Sequence, residues 1–206
     1  MNGQNNRGFF TDGYLMVISV IQGATFGALV LVADRLSESE LWKFSPYLLC
    51  SFIMLVGLLY GYLVGARDLK WPMDGFDVLI PVLLGLFQCA ALLSLPSKHP
   101  QPEFLWFIWY SLVLVTLMGT VFNAWIKTGI HDKKNYKRHK ADFLGSLAFM
   151  VGSLALAMTP VIGYQCGWWK PAFVSTLIWV LVGIRLFVFY GFCRRDWKMQ
   201  KEKHHT

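Results

Sequence analysis

The chain has 206 residues, 55% of them hydrophobic and only 15% charged, with a formal net charge of +7. A soluble domain carries about 25% charged residues, so a single globule surrounded by water is excluded for this much apolar surface. The positive charge is concentrated in a few polar links, as a topology signal would be, and no nucleic-acid partner is expected.

The apolar residues fall into six blocks of about 20, the length a helix needs to cross roughly 30 Å of hydrocarbon. The fold class expected is therefore all-α: a polytopic membrane protein with six transmembrane helices in a single domain spanning residues 1–206. The first block, Tyr14–Ala33, is too long for a secretory signal and lacks a small-residue cleavage site. It is expected to stay in the mature protein. It contains the step Gly23-Ala-Thr-Phe-Gly27, which lets a second backbone approach closely. On roughly the same side lie Leu15, Ser19, Gln22, Phe26 and Leu29 at spacings of three and four. A pore wall in a homo-oligomer would mix apolar and polar rings in this way, and these five are the pore-lining candidates. An ordinary packed helix is the other reading of the same pattern.

The second and third blocks are Pro46–Ala66 and Phe76–Leu95. Asp74 and Asp77 stand three apart at the start of the third. They either cap that helix, where negative charge is favoured, or hold a metal for a lipid-acting enzyme. Such enzymes use more acids at helical spacing, so capping is preferred and no metal site is expected. Gln88 lies in the outer half of this block.

The fourth block, Leu105–Ile126, places Asn123 close to its inner end. The link 127–142 that follows is strongly basic, and Lys133, Lys134, Lys137, Arg138 and Lys140 are its candidate contacts. It reads either as a site for anionic lipid or an acidic partner, or as a topology signal alone. The fifth block, Phe143–Gly163, carries Pro160 near its end. The sixth, Ala172–Cys193, contains Arg185 and is followed by the basic tail 194–206. Intramembrane polar groups are costly unless paired or facing water, so Arg185, Gln88 and Asn123 are singled out as buried polar residues.

Orientation follows from lysine and arginine placement. With the N-terminus inside, the inner segments hold 14 of these residues and the outer links only Arg35, Lys43, Lys98 and Lys170. Both ends are therefore expected in the cytoplasm. Tryptophan agrees, with Trp42, Trp106, Trp109, Trp168 and Trp169 near outer boundaries and Trp71, Trp125 and Trp197 near inner ones. Indole rings favour the headgroup zone. Trp179 alone lies deeper.

Several chemistries lack their residues. All five histidines fall in links or the tail, which argues against a haem bundle, and no lysine lies deep in a helix as a retinal protein needs. The four cysteines form no C-x-x-C pair, so no thiol relay is expected. Cys50 and Cys166 both map near the outer face, where a bridge is conceivable, although small apolar packing is the preferred role. No cofactor and no catalytic residue is expected.

The segment Arg7-Gly-Phe-Phe-Thr-Asp-Gly13 resembles the Arg…Phe-Ser-Asp-Gly signature of the lysosomal potassium channel family and its prokaryotic relatives. That resemblance implies six helices with both ends inside, a tetramer, and a first helix that lines the pore. It makes Phe10, Thr11 and Asp12 an inner-mouth network. Thr11 stands where the family has serine, Arg7 sits one residue nearer to the phenylalanine, and Leu59-Tyr-Gly-Tyr-Leu-Val-Gly65 lacks the family's histidine and asparagine. The leading expectation is thus an ion channel. A small accessory or effector protein recruited through its basic segment is the alternative, and a lipid-acting enzyme using Asp74 and Asp77 the third.

Overall fold

The computed structural model describes residues 3–68, 75–97, 100–131, 133–168 and 170–203; within them the side chains of 3–14, 64–68, 131, 133–139, 141–142, 192 and 195–203 are left undescribed. Six α-helices follow one another: α1 (Gly3–Arg35), α2 (Glu38–Asp68), α3 (Gly75–Ser94), α4 (Pro102–His131), α5 (Lys133–Gln165) and α6 (Pro171–Lys203). Each contains a stretch long and apolar enough to cross a bilayer, as six blocks of about 20 apolar residues require. The architecture is that of a multi-pass membrane protein.

Most helices outrun their apolar blocks. Helix α2 begins eight residues before Pro46, because Ser37 and Glu40 form a capping box at its start. The Glu40 carboxylate accepts from the Ser37 backbone N–H at 3.0 Å and from its hydroxyl at 2.6 Å, satisfying a donor the helix leaves open. The basic segment 127–142, expected as a loop, is helical on both sides of residue 132, which lies outside the described residues. Lysine, arginine and alanine are good helix formers, and charge ends a membrane span without ending a helix. The basic tail continues α6 as far as Lys203 for the same reason.

Helix α5 stops at a Schellman turn. The Trp168 N–H donates to Gly163 C=O at 3.0 Å and the Gly167 N–H to Tyr164 C=O at 3.2 Å, with Gly167 at φ 74°. Glycine reaches that φ without a Cβ penalty. The Trp168 ring folds back over Gly163, close enough that a Cβ there would touch it at 3.4 Å.

The helices pack as a closed ring in the order α1, α3, α4, α5, α6, α2 and back to α1. The seam between α5 and α6 is the loosest of the six. Where α1 meets α3, Gly85 admits the Ile21 side chain into space a Cβ would occupy. Aromatic side chains from α2 and α4 fill the middle of the ring. Tyr47 meets Trp106 edge-on at 5.1 Å, and Trp106 stacks on Tyr110 at 4.4 Å. Trp106 is fully buried and donates from Nε1 to Ser51 Oγ at 3.3 Å. It is a core residue, not an interfacial anchor, because its N–H finds a protein partner inside the ring. Trp42 and Trp168 are exposed near helix ends, as an interfacial role requires.

Candidate functional site

Arg185 is the centre of the buried polar architecture. Helix α6 carries it into the ring, where only 7% of its surface remains exposed. Its Nε donates to Tyr110 Oη at 2.8 Å, and the Cys50 thiol donates to the same oxygen at 3.3 Å. The guanidinium also lies over two rings, 5.7 Å from the Tyr110 centroid and 5.5 Å from that of Phe149. Such contacts lower the cost of a desolvated cation. Its Nη2 is buried with no hydrogen-bond partner. Among the described residues no carboxylate pairs with it, so the charge is offset by rings and a phenol alone.

A second polar cluster ties α3 to α4. Lys127 Nζ meets Asp77 Oδ2 at 2.7 Å and Asn123 Nδ2 donates to Oδ1 at 3.3 Å. Both members of the ion pair are largely buried. The sequence singled out Asn123 and Asp77 separately; the pairing between them needs a fold that apposes residues 46 apart. Asp77 is thus occupied by a lysine, and Asp74 lies outside the described residues. No group of three or more metal-ligating side chains occurs among the described residues.

The five residues of the α1 stripe divide between two environments. Gln22 is 4% exposed, on the buried side with Ile18, Thr25 and Val32, while Leu15 and Leu29 are half-buried. Ser19 and Phe26 are exposed. At about 100° per residue the stripe runs along the edge of the buried face. Gly23 and Gly27 stand further round, with open space where a Cβ would point, beside exposed Met16, Val20 and Val30.

Gln22 and Gln88, on adjacent helices, are both buried, and neither amide has a partner. Cys89 reaches Thr25 Oγ1 at 3.8 Å nearby. All four cysteines are free, Cys50 buried and Cys166 exposed, so the conceivable bridge between those two is absent. Of the basic segment, Lys140 is exposed; the side chains of Lys133, Lys134, Lys137 and Arg138 lie outside the described residues, as do those of Phe10, Thr11 and Asp12.

One feature gives no sign of itself in the sequence. Between α5 and α6 runs a crevice of about 620 Å³ lined by Phe149, Gly152, Ser153, Leu156, Thr159 and Ile184, among others. Residues four apart on α5 share a face, which places Phe149 and Ser153 side by side. The i, i+4 spacing was legible, but nothing marked α5 and α6 as the loose seam.

Comparison with protein-family models, curated proteins and solved structures gave no match.

Proposed function

We propose that the chain forms an ion-permeable channel from several copies, with α1 facing the shared axis. The observation that supports this reading most is the one-sided packing of α1. It meets α2 and α3 along the face of Ile18, Gln22, Thr25 and Val32, and leaves Met16, Val20, Phe26 and Val30 uncovered. An uncovered face holding two glycines, a serine and large apolar side chains suits close helix approach and an apolar constriction. The resemblance at Phe10-Thr11-Asp12-Gly13 points to the same helix. The aromatic plug inside the ring leaves a path between protomers as the more natural route.

Currents across planar bilayers test the reading. Purified oligomer should give unitary currents, and Phe26→Ala should change their amplitude while leaving assembly intact. Gln22→Leu should instead act on packing within the protomer, because Gln22 faces inward. Folded oligomer that stays silent, or currents indifferent to Phe26→Ala, would remove α1 from any pore.

A second reading is an accessory protein recruited through the segment 133–142. It draws support from the helical continuation of α5 about three turns below its apolar span. Neutralising Lys133, Lys134, Lys137, Arg138 and Lys140 together should then abolish recruitment without disturbing the bundle.

A further inference from the structure

Buried polar atoms are normally hydrogen-bonded, and each exception asks for an explanation. Two exceptions stand at the α5–α6 seam. Ser153 is 2% exposed and lines the crevice, and its hydroxyl has no partner. Arg185 Nη2 is equally unpartnered, and its guanidinium lies against Phe149, which lines the same crevice four residues from Ser153. An unpartnered donor on a cation and an unpartnered hydroxyl, with no carboxylate among the described residues paired to either, suit an anion. A buried charge is normally paired; among the described residues Arg185 has no carboxylate partner.

The rest of the crevice is apolar. Phe149, Leu156 and Ile184 supply its walls, and Gly152 and Ala155 are exposed where it opens to the outer surface of the bundle. A volume of about 620 Å³ lies within the range of small-molecule sites, which are mostly apolar with a few placed polar groups. With α5 and α6 spanning a bilayer, the crevice opens sideways from the bundle, and its occupant enters from the membrane.

We infer that the α5–α6 crevice binds an anionic amphiphile, its acidic head held by Arg185 and Ser153 and its chain lying along Phe149, Leu156 and Ile184. The head is a carboxylate or a phosphate ester; both offer acceptor oxygens to the unpartnered guanidinium N–H and hydroxyl O–H. A free long-chain carboxylate and an acidic membrane phospholipid are the two sources of that chemistry. The inference is independent of whether α1 lines a pore.

The test is binding to the whole chain, purified in a neutral detergent, of radiolabelled oleate and, separately, radiolabelled dioleoyl phosphatidic acid. Oleyl alcohol is the uncharged comparison. Saturable binding of either acid is expected, weakened by about tenfold or more in Arg185→Gln, which loses a charge-assisted contact. Because Arg185→Gln also disturbs Tyr110, Gly152→Leu serves as the blocking variant. A side chain at Gly152 meets nothing within 4 Å of its Cβ, so it fills the crevice without displacing the core, and binding should fall with no drop in the unfolding temperature. Oleate alone binding identifies a free carboxylate; phosphatidic acid binding identifies a membrane lipid. Absence of saturable binding, equal binding of the alcohol, or full binding by Gly152→Leu each overturns the proposal.

Discussion

Arg185 on α6 and Tyr110 on α4 are joined across the ring by a 2.8 Å hydrogen bond from Nε to Oη, although 75 residues separate them in the chain. The two helices are not neighbours in the ring; only long side chains let them meet. Tyr110 also accepts from Cys50 on α2, so one phenol oxygen links three helices. Tyr110→Phe removes the acceptor and leaves the Arg185 Nε without a partner. A loss of about 1–3 kcal/mol is expected, read as a lower unfolding temperature in detergent. Cys50→Ala, which removes only a weak thiol donor, should cost less. Equal effects from the two would show that the phenol ring, not the hydrogen bond, carries the stability.

Gly85 and Ile21 make a second test of packing. Gly85→Ala places a methyl group where Ile21 Cγ2 already stands, and the helix backbone offers no slack. About 1–3 kcal/mol of destabilisation is expected from such overpacking. The double variant Gly85→Ala with Ile21→Ala should recover part of that loss, because the clash is removed on the other side. A double variant no better than the sum of the singles would place the strain elsewhere.

Asp77 and Lys127 form a largely buried pair. Asp77→Asn takes from the lysine the carboxylate that meets it at 2.7 Å, with an expected cost of about 1–3 kcal/mol. Asp77→Asn combined with Lys127→Met should be milder, since both ends of that ion pair are then neutral. The same variants address the lipid-enzyme reading: an activity on lipid that survives Asp77→Asn in folded protein is not using this carboxylate.

Cysteine labelling examines the orientation. Cys166 is free and exposed at the end of the bundle where α5 meets α6. In a Cys193→Ser background, a membrane-impermeant maleimide should modify Cys166 from the non-cytoplasmic side of sealed membranes, and buried Cys50 should stay unmodified. Modification only after permeabilisation would invert the orientation that the lysine and arginine distribution predicts.

Helix number, approximate span limits and the deep position of Arg185 were all legible in the chain. They depend on local properties: runs of about 20 apolar residues and a cation inside one of them. Extents were less legible, because hydropathy marks where lipid ends and not where hydrogen bonding ends. That is why α2 starts at its Ser37–Glu40 box well before Pro46, and why α5 begins within the basic segment.

Partnership belonged to the tertiary structure. A lone arginine in an apolar block could equally have reached toward water, and only the ring of helices puts Tyr110 and Phe149 beside it. Gln22 and Phe26 look equivalent at i, i+4, yet one is buried and the other exposed, because the edge of the α1–α3 contact passes between them. Trp106 reads as an interfacial tryptophan from its position and is a core residue once Ser51 and Tyr110 surround it. Sequence by itself determined that this chain is a bundle of membrane-length helices, since solvent preference is written residue by residue. Which faces meet, which charge lacks a partner and where a crevice stays open are set by side chains far apart in the chain, and only the packed ring brings them together.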